Sequence, residues 1–474
     1  MHNAESKHPI TKSSLRSLLR RSRAAGVVSL GLMVVLISLV LLQCPLYSKP
    51  TTPRPNIIFI LADDLGYGDL GCYGQERIKT PWLDRMAGEG TRFSDCYAGC
   101  PLCAPSRCAL MTGRHMGHAY IRANSASAQA DIPLRAEDAT VAELLRAAGY
   151  RTGLIGKWHL GGTESTGSPT RKGFDYAYGF PDDTDDDYFP RALWRNGAPV
   201  NVPPGAYSQD LFTEDAIAFI RGAGSTPFFL YLAYTIPHVP FEVPSDAPYE
   251  QQPWPDEMKA RAAMITRMDH GIGALFKLLK ELGIDQQTAV FFSSDNGPTN
   301  ADFFQSSGPF SGGKRSLSEG GIRVPMIVRW PEHIPAGRLS GQAWAFWDFL
   351  PTACEIAGAS APADVDGVSV LPVLLGQEPA HERLLYWEYY PRKGGAFEQA
   401  ARLGRWKAIR ADAWRKKGKR WKVTTSFELF DLTTDPSEQV DLADEQLSLV
   451  ADLQKAMSDA HTESTIWPSK PPGN

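Results

Sequence analysis

The chain has 474 residues, 43% hydrophobic, 10% aromatic and 22% charged, the make-up of an ordinary folded protein, which excludes a disordered chain, a collagen and a disulfide-stapled miniprotein. Its formal net charge of −4 averages two unlike parts: residues 1–44 carry six basic side chains and one acid, and the remainder carries 43 basic against 52 acidic side chains, a net −9. A body that acidic lacks the basic footprint of a nucleic-acid binder, so no nucleic-acid partner is expected.

The basic stretch Arg16–Arg23 runs into 19 uncharged residues, Ala24–Leu42, rich in Val, Leu and Ile. That is the pattern of an export signal or membrane anchor, and the run is just long enough to span a bilayer. A cleaved signal peptide, a lipoprotein signal ending at Cys44 and a retained anchor are all compatible with it. Each exports the body to a periplasmic, extracellular or membrane-anchored location, with membrane contact through residues 1–44 alone.

Short apolar runs follow: Asn56–Ala62, Arg151–Ile155, Phe228–Tyr234, Ala289–Ser293 and Pro325–Arg329. Runs that are apolar on both faces predict strands of a buried parallel sheet. Between them, Thr140–Ala148, Asp210–Arg221 and Asp256–Leu282 have helical apolar spacing, with Gly149 and Gly283 placed to end two of them. The alternation predicts an α/β fold for residues 52–375: a large mixed, mostly parallel sheet sandwiched by helices. Residues 376–474 read as a smaller α+β part, with strand-like pieces Trp406–Arg410 and Lys422–Leu432 around a basic turn, then a helix over Asp444–Ala460.

In open α/β sheets the site lies beyond the carboxyl ends of the strands. The first strand ends in Asp63-Asp64, the Phe228 strand runs to His238, the Ala289 strand ends in Asp295-Asn296-Gly297, and the Arg151 strand runs into Gly156-Lys157-Trp158-His159. Asp63, Asp64, Asp295 and Asn296 offer hard oxygen donors suited to Ca²⁺ or Mg²⁺. Like charges gathered in a dry crevice need a cation to offset them.

Seven cysteines occur, four of them between positions 96 and 108. Their spacing lacks the paired CxxC of structural zinc, and export leaves a local disulfide, such as Cys100 with Cys108, open. In Cys103-Ala104-Pro105-Ser106-Arg107, continuing to Gly113-Arg114, Pro105 and Gly113 frame one short helix with Cys103 just before its N-terminus. Helix amides and Arg107 there favour an anion. A plain thiol among hard oxygen ligands is chemically odd.

The segment Cys103–Arg114 fits CxPSRxxLxTGR, and so resembles the signature of the type I, arylsulfatase A-like sulfatases of the alkaline phosphatase superfamily. Further similar pieces are ADDLGYGDLGCYG at 62–74, GKWHLG at 156–161, SSDNG at 293–297, GGKRSLSEGGIRVP at 312–325 and ELFDLTTDPSE at 428–438. The resemblance implies a sulfuric ester hydrolase whose cysteine, here Cys103, is converted during export by a formylglycine-generating enzyme to Cα-formylglycine. It also implies a divalent metal, usually calcium, held by Asp63, Asp64, Asp295 and Asn296 with the oxygen made from Cys103. Arg107, Lys157 and Lys314 match residues that clamp sulfate oxygens and offset charge, and His159 and His238 match the acid/base histidines. The implied reaction is attack of a gem-diol hydroxyl on sulfur, with His238 and Lys314 serving the leaving alcohol and His159 taking the second hydroxyl proton.

Characterised relatives carry a serine roughly in the stretch 179–187, where this chain has Gly-Phe-Pro-Asp-Asp-Thr-Asp-Asp-Asp. Residues Arg402–Lys422 hold ten basic side chains against Asp412 alone, interleaved with Trp406, Trp414 and Trp421. That segment reads either as a solvated charged hairpin or as a rim for a sulfated saccharide, and a sulfated carbohydrate is the expected substrate. Two rivals stand beside this reading: a phosphate or phosphonate ester hydrolase of the same superfamily, and a non-catalytic protein that binds sulfated glycans.

Overall fold

The computed structural model describes residues 54–471, apart from 125–131, 182–186, 378–381, 392–395 and 418–419. The export segment and most of the acidic 179–187 stretch therefore lie outside the described residues. The main sheet has ten strands, running from one edge as Arg338–Ser340, Thr91–Phe93, Met326–Arg329, Thr288–Ser294, Asn56–Ala62, Phe228–Ala233, Arg151–Lys157, Tyr176–Phe180, Ala192–Arg195 and Ala198–Asn201. The five strands from Thr288–Ser294 to Tyr176–Phe180 are mutually parallel, and the Met326–Arg329 and Ala192–Arg195 strands flank them antiparallel.

Asn56–Ala62 occupies the centre because all seven of its residues are buried and its side chains feed two cores. Ile57, Phe59 and Leu61 pack with Leu110, Leu145 and Phe349 on one face, while Ile58 and Ile60 pack with Phe212, Ile265 and Leu279 on the other. This two-sided demand explains the continuous apolar run. Its register pairs Leu61 with Ala233 and Ala62 with Ser294, so the residues that follow all three strands emerge together at one edge.

The helices form as Val141–Ala147, Ser208–Arg221 and Asp256–Glu281. Thr140 is not helical but caps the first of them: its hydroxyl accepts from the Glu143 amide while the Glu143 carboxylate accepts from the Thr140 amide. The C-terminal sheet has four antiparallel strands, Leu384–Tyr389, Ala396–Leu403, Trp406–Lys417 and Arg420–Asp431. The second escapes a sequence reading because Ala-Phe-Glu-Gln-Ala-Ala-Arg-Leu favours helix locally. Pairing of Ala400 with Ile409 and Ala401 with Ala408 overrides that preference. The closing helix begins at Leu447, three residues later than expected.

All six described cysteines are free, Cys100 and Cys108 included. No local disulfide forms, and Cys100 Sγ instead lies 3.6 Å from the Glu388 carbonyl oxygen. Past the helix Cys103–Thr112, a His115–His118–Asp366 cluster ties the chain to the 360s loop. Asp366 accepts from the His115 amide at 3.0 Å and contacts His118 Nδ1 at 2.8 Å. The Gly117 amide donates to His115 Nδ1 at 3.1 Å, which leaves the ring proton on Nε2, facing Asp366 Oδ1 at 3.6 Å. That proton placement makes the cluster a hydrogen-bonded tie rather than a metal centre.

Burial holds His115 neutral down to about 4. The unfolded chain takes up a proton near pH 6.5 that the folded chain refuses until about pH 4, so stability falls as pH drops through that window, by up to about 3 kcal/mol. The urea unfolding free energy of wild type should therefore exceed that of His115→Gln by more at about pH 7 than at about pH 4.5. A difference independent of pH would show that His115 titrates alike in both states.

Candidate active site

Asp63 and Asp64 leave the central strand as a tight corner. The Asp63 amide donates to the Ile236 carbonyl at 2.9 Å, and Asp64 sits at φ 61°, a left-handed conformation that costs a non-glycine residue roughly 1–2 kcal/mol. The strained corner turns the Asp64 amide toward Asp295 Oδ1 at 3.2 Å and its carboxylate toward Asn296 Nδ2 at 2.7 Å. Asp63, Asp64, Asp295 and Asn296 are all buried.

The helix that bears Cys103 spans Cys103–Thr112 and ends at Gly113, φ 70°. Cys103 lies within its first turn rather than before it, with Leu102 as the cap. The Ala104 amide donates to Asn124 Oδ1 at 3.2 Å and the Ser106 amide to the Leu102 carbonyl at 3.1 Å, so side-chain cations, not these amides, provide the positive charge of the site. Cys103 is 1% exposed and its Sγ is 3.5 Å from Asp63 Oδ1. Burial, reinforced by Asp63, pushes the thiol well above its usual range. An unmodified Cys103 is therefore a neutral thiol, not a thiolate nucleophile.

Three cations face the three carboxylates. Arg107 donates through Nε and Nη2 to Asp295 Oδ2 at 3.1 and 2.8 Å, through Nη1 to the Lys157 carbonyl at 2.8 Å, and stands 3.4 Å from Asp63 Oδ2. Its geometry is that of a charge-balancing residue beneath the site. Lys157, the last residue of its strand, reaches Asp63 Oδ2 at 2.7 Å, and Lys314 reaches Asp64 Oδ2 at 2.8 Å. Burial alone would raise Asp63 and Asp64. Lys157, with His238, Arg107 and Lys314, holds Asp63 well below the carboxylate range, and Lys314 does the same more mildly for Asp64. Asp295 goes the other way, up to about 7, because burial and the Asp63 charge outweigh Arg107.

His238 has its Nδ1 2.7 Å from the Val239 carbonyl oxygen, which can only accept, so Nδ1 carries a proton. Its Nε2 faces Asp64 Oδ2 at 3.8 Å. One donor atom each from Asp63, Asp64, Cys103 and His238 falls within 4.8 Å of the others. His159 is buried at φ 62° just past Lys157, a second strained non-glycine position beside the site. Sequence reasoning missed Thr299, whose hydroxyl donates to Asp64 Oδ2, and Asn124; both lie in loops with no periodic pattern to mark them.

The donor set fits a divalent cation. Asn296 Oδ1 is buried and accepts no hydrogen bond among the described residues, an acceptor that is costly to leave unmet. It sits beside Asp295, which burial and the Asp63 charge together lift, and all four residues offer oxygen, the hard donor that Ca²⁺ or Mg²⁺ prefers.

Comparison with known proteins agrees with this geometry. The Sulfatase family profile matches residues 55–359, and the profile described as N-sulphoglucosamine sulphohydrolase, C-terminal, matches residues 310–463. The chain is 34% identical to dog (Canis lupus familiaris) N-acetylgalactosamine-6-sulfatase over 385 residues, covering 75% of this chain and 71% of the relative. It is 34% identical to Bos taurus arylsulfatase A over 475 residues, covering 88% and 90%. Among solved structures, Ps i-CgsB in complex with k-i-k-neocarrahexaose superposes with a TM-score of 0.76 at 30% identity, covering 88% of this chain and 95% of that one. With the motif residues gathered at one sheet edge and these matches spanning most of its length, the chain belongs to the type I sulfatases of the alkaline phosphatase superfamily, enzymes that hydrolyse sulfuric esters.

Proposed function

We propose that this sulfatase is an exported enzyme that removes sulfate monoesters from sulfated carbohydrates, with Cys103 converted to Cα-formylglycine as its nucleophile. The observation that carries this reading is the packing of one buried, neutral cysteine against Asp63, within 4.8 Å of Asp64 and His238 donor atoms. Because Cys103 is buried in the folded chain, a formylglycine-generating enzyme would reach it before folding, during export. Asp63, Asp64, Asp295 and Asn296 would hold one divalent cation, Ca²⁺ or else Mg²⁺, beside the oxygen made from Cys103. When bound, that ion supplies Lewis-acid activation of the hydrated aldehyde and offsets the charge of the sulfate.

The chain's own residues then divide the remaining work. Lys157 and Lys314, at the rim of the carboxylate cluster, attract the sulfate oxygens, and Arg107 keeps Asp295 and Asp63 in place beneath them. His238, anchored by its Nδ1–H on Val239, presents Nε2 as the end that hands a proton to the leaving oxygen. His159 is the base for the residual hydroxyl proton.

The carbohydrate assignment is supported by the 406–431 hairpin. Arg415 pairs across the strands with Lys422, and Lys416 with Trp421. Like charges placed opposite one another are unfavourable, and no ion pair to Arg415, Lys416 or Lys422 occurs among the described residues. Lys416 Nζ instead stands 5.8 Å from the Trp421 ring centroid. A cationic, aromatic tip of this kind suits an anionic saccharide chain, in keeping with the oligosaccharide held by the structural relative.

Three outcomes test this reading. Peptide mass spectrometry of matured protein should show Cys103 with its thiol exchanged for an aldehyde, and Cys103→Ala should lose on the order of 10³-fold or more in kcat/KM with an unchanged circular dichroism spectrum; full activity of an unconverted cysteine would refute the nucleophile. Dialysis against EGTA should cut activity at least about tenfold, with Ca²⁺ restoring it; retention of activity without bound metal would exclude the ion. Replacing Arg415, Lys416 and Lys422 by Gln should raise KM for a sulfated oligosaccharide roughly tenfold and leave a small aryl sulfate unaffected; equal turnover of both by wild type and variant would remove the saccharide rim.

A further inference from the structure

Two of the sulfatase-like segments carry no residue of the proposed chemistry beyond Lys314, yet they meet. The loop 311–321 is built backbone on backbone. A Cβ at Gly321 would lie 2.0 Å from the Ser316 carbonyl oxygen, and one at Gly297 would lie 1.9 Å from that of Gly320. Its tip is fixed where the Lys314 amide donates to the Pro298 carbonyl at 3.0 Å and the Arg315 amide to the Pro101 carbonyl at 2.9 Å.

The base of the loop is held from the C-terminal sheet. Glu438, at the end of Asp435-Pro436-Ser437-Glu438, accepts from the Glu319 amide through Oε2 at 2.7 Å, while its Oε1 is 2.8 Å from Lys407 Nζ. Lys407, fully buried on the strand Trp406–Lys417, also donates to Glu319 Oε1 at 2.9 Å. The other Glu319 oxygen accepts from the Tyr97 hydroxyl at 2.7 Å and from Arg323 at 3.0 Å. At the loop's opposite end the Ser311 hydroxyl donates to the Ser437 carbonyl at 2.5 Å, and Gln439 donates to Ser311 Oγ at 2.8 Å. Both ends of the Lys314 loop are thus gripped by residues 437–439, and at the Glu319 end the grip is charged and buried, where a paired interaction is hard to break.

We propose that Glu438, together with Lys407, is a positioning residue for the sulfatase reaction: from the C-terminal sheet it fixes the loop 311–321 so that Lys314 Nζ meets Asp64. The inference rests on the reading of Lys314 as a cation acting on the sulfate ester. It also explains how the Asp-Pro-Ser-Glu segment, more than three hundred residues downstream of Cys103, would serve the active machinery without touching substrate.

The test uses the full, matured chain. Glu438→Ala removes the acceptor for the Glu319 amide, whereas Glu438→Gln keeps one and loses the charge. Expected for Glu438→Ala are a fall in kcat of about tenfold with KM within about twofold, and faster amide hydrogen exchange in 311–321 but not in 103–112. Glu438→Gln should recover most of the rate. The double variant Lys314→Ala/Glu438→Ala should be no slower than Lys314→Ala alone, because a positioning residue has nothing left to position. Multiplying losses, or unchanged exchange in 311–321, would overturn the proposal. If Lys314→Ala by itself keeps full turnover, it is the role of Lys314 that fails, and the exchange measurement alone then decides whether Glu438 holds the loop. Lys407→Met, read by the same exchange measurement, provides the second variant should Glu438→Ala not fold.

Discussion

Burial of three carboxylates at the ends of two neighbouring parallel strands is the constraint around which this molecule is arranged. Asp63, Asp64 and Asp295 are essentially without solvent, and ions in such a place are tolerated only if opposite charge is delivered with good geometry. The chain delivers it from three separate segments: Arg107 from a short helix, Lys157 from a strand end and Lys314 from a glycine-built loop. Each ion pair therefore does two things, offsetting charge and fixing the element that bears it. The balance is incomplete, as Asp295 is lifted toward neutrality and Asn296 Oδ1 has no donor among the described residues. Both features describe a place where a further cation belongs.

The same logic extends into the C-terminal sheet. Glu319 is held down to about 2 although burial would raise it, because Lys407, Arg323 and Arg402 surround it. This second buried network joins the loop of Lys314 to a strand that begins near Lys407 and runs out to Arg415 and Lys416. One strand thus carries a loop-holding contact at its buried start and the exposed cations Arg415 and Lys416, proposed above as a saccharide rim, at its other end. The C-terminal sheet is therefore part of how the site is built, not an appendage to the sheet that bears the carboxylates.

Much of this was legible in the residues. Strands buried on both faces have unbroken apolar runs, and in a parallel sheet the polar residues that end such runs must collect at one edge, so Asp63, Asp64, Asp295, Asn296, Lys157 and His238 could be named before any coordinates. What escaped was set by tertiary context. The strand Ala396–Leu403 is composed of helix-favouring residues and is extended only because its neighbours pair with it. The particular partners of Arg107 (Asp295, Asp63 and the Lys157 carbonyl) could not be read from its segment, although a charge-offsetting role could. Thr299 and Asn124 bond the site from loops whose local composition has no signal, and the crowding of Cys100 and Cys108 suggested a bridge that packing does not form.

Calorimetric titration of the metal-stripped, matured protein with Ca²⁺ probes the carboxylate cluster itself. Saturable binding of one ion per chain, abolished by Asp63→Asn and weakened by Asn296→Ala, is the result expected if these buried oxygens form a cation site. Absence of binding, or binding indifferent to both substitutions, would contradict it and leave the three carboxylates to be balanced by Arg107, Lys157 and Lys314 alone.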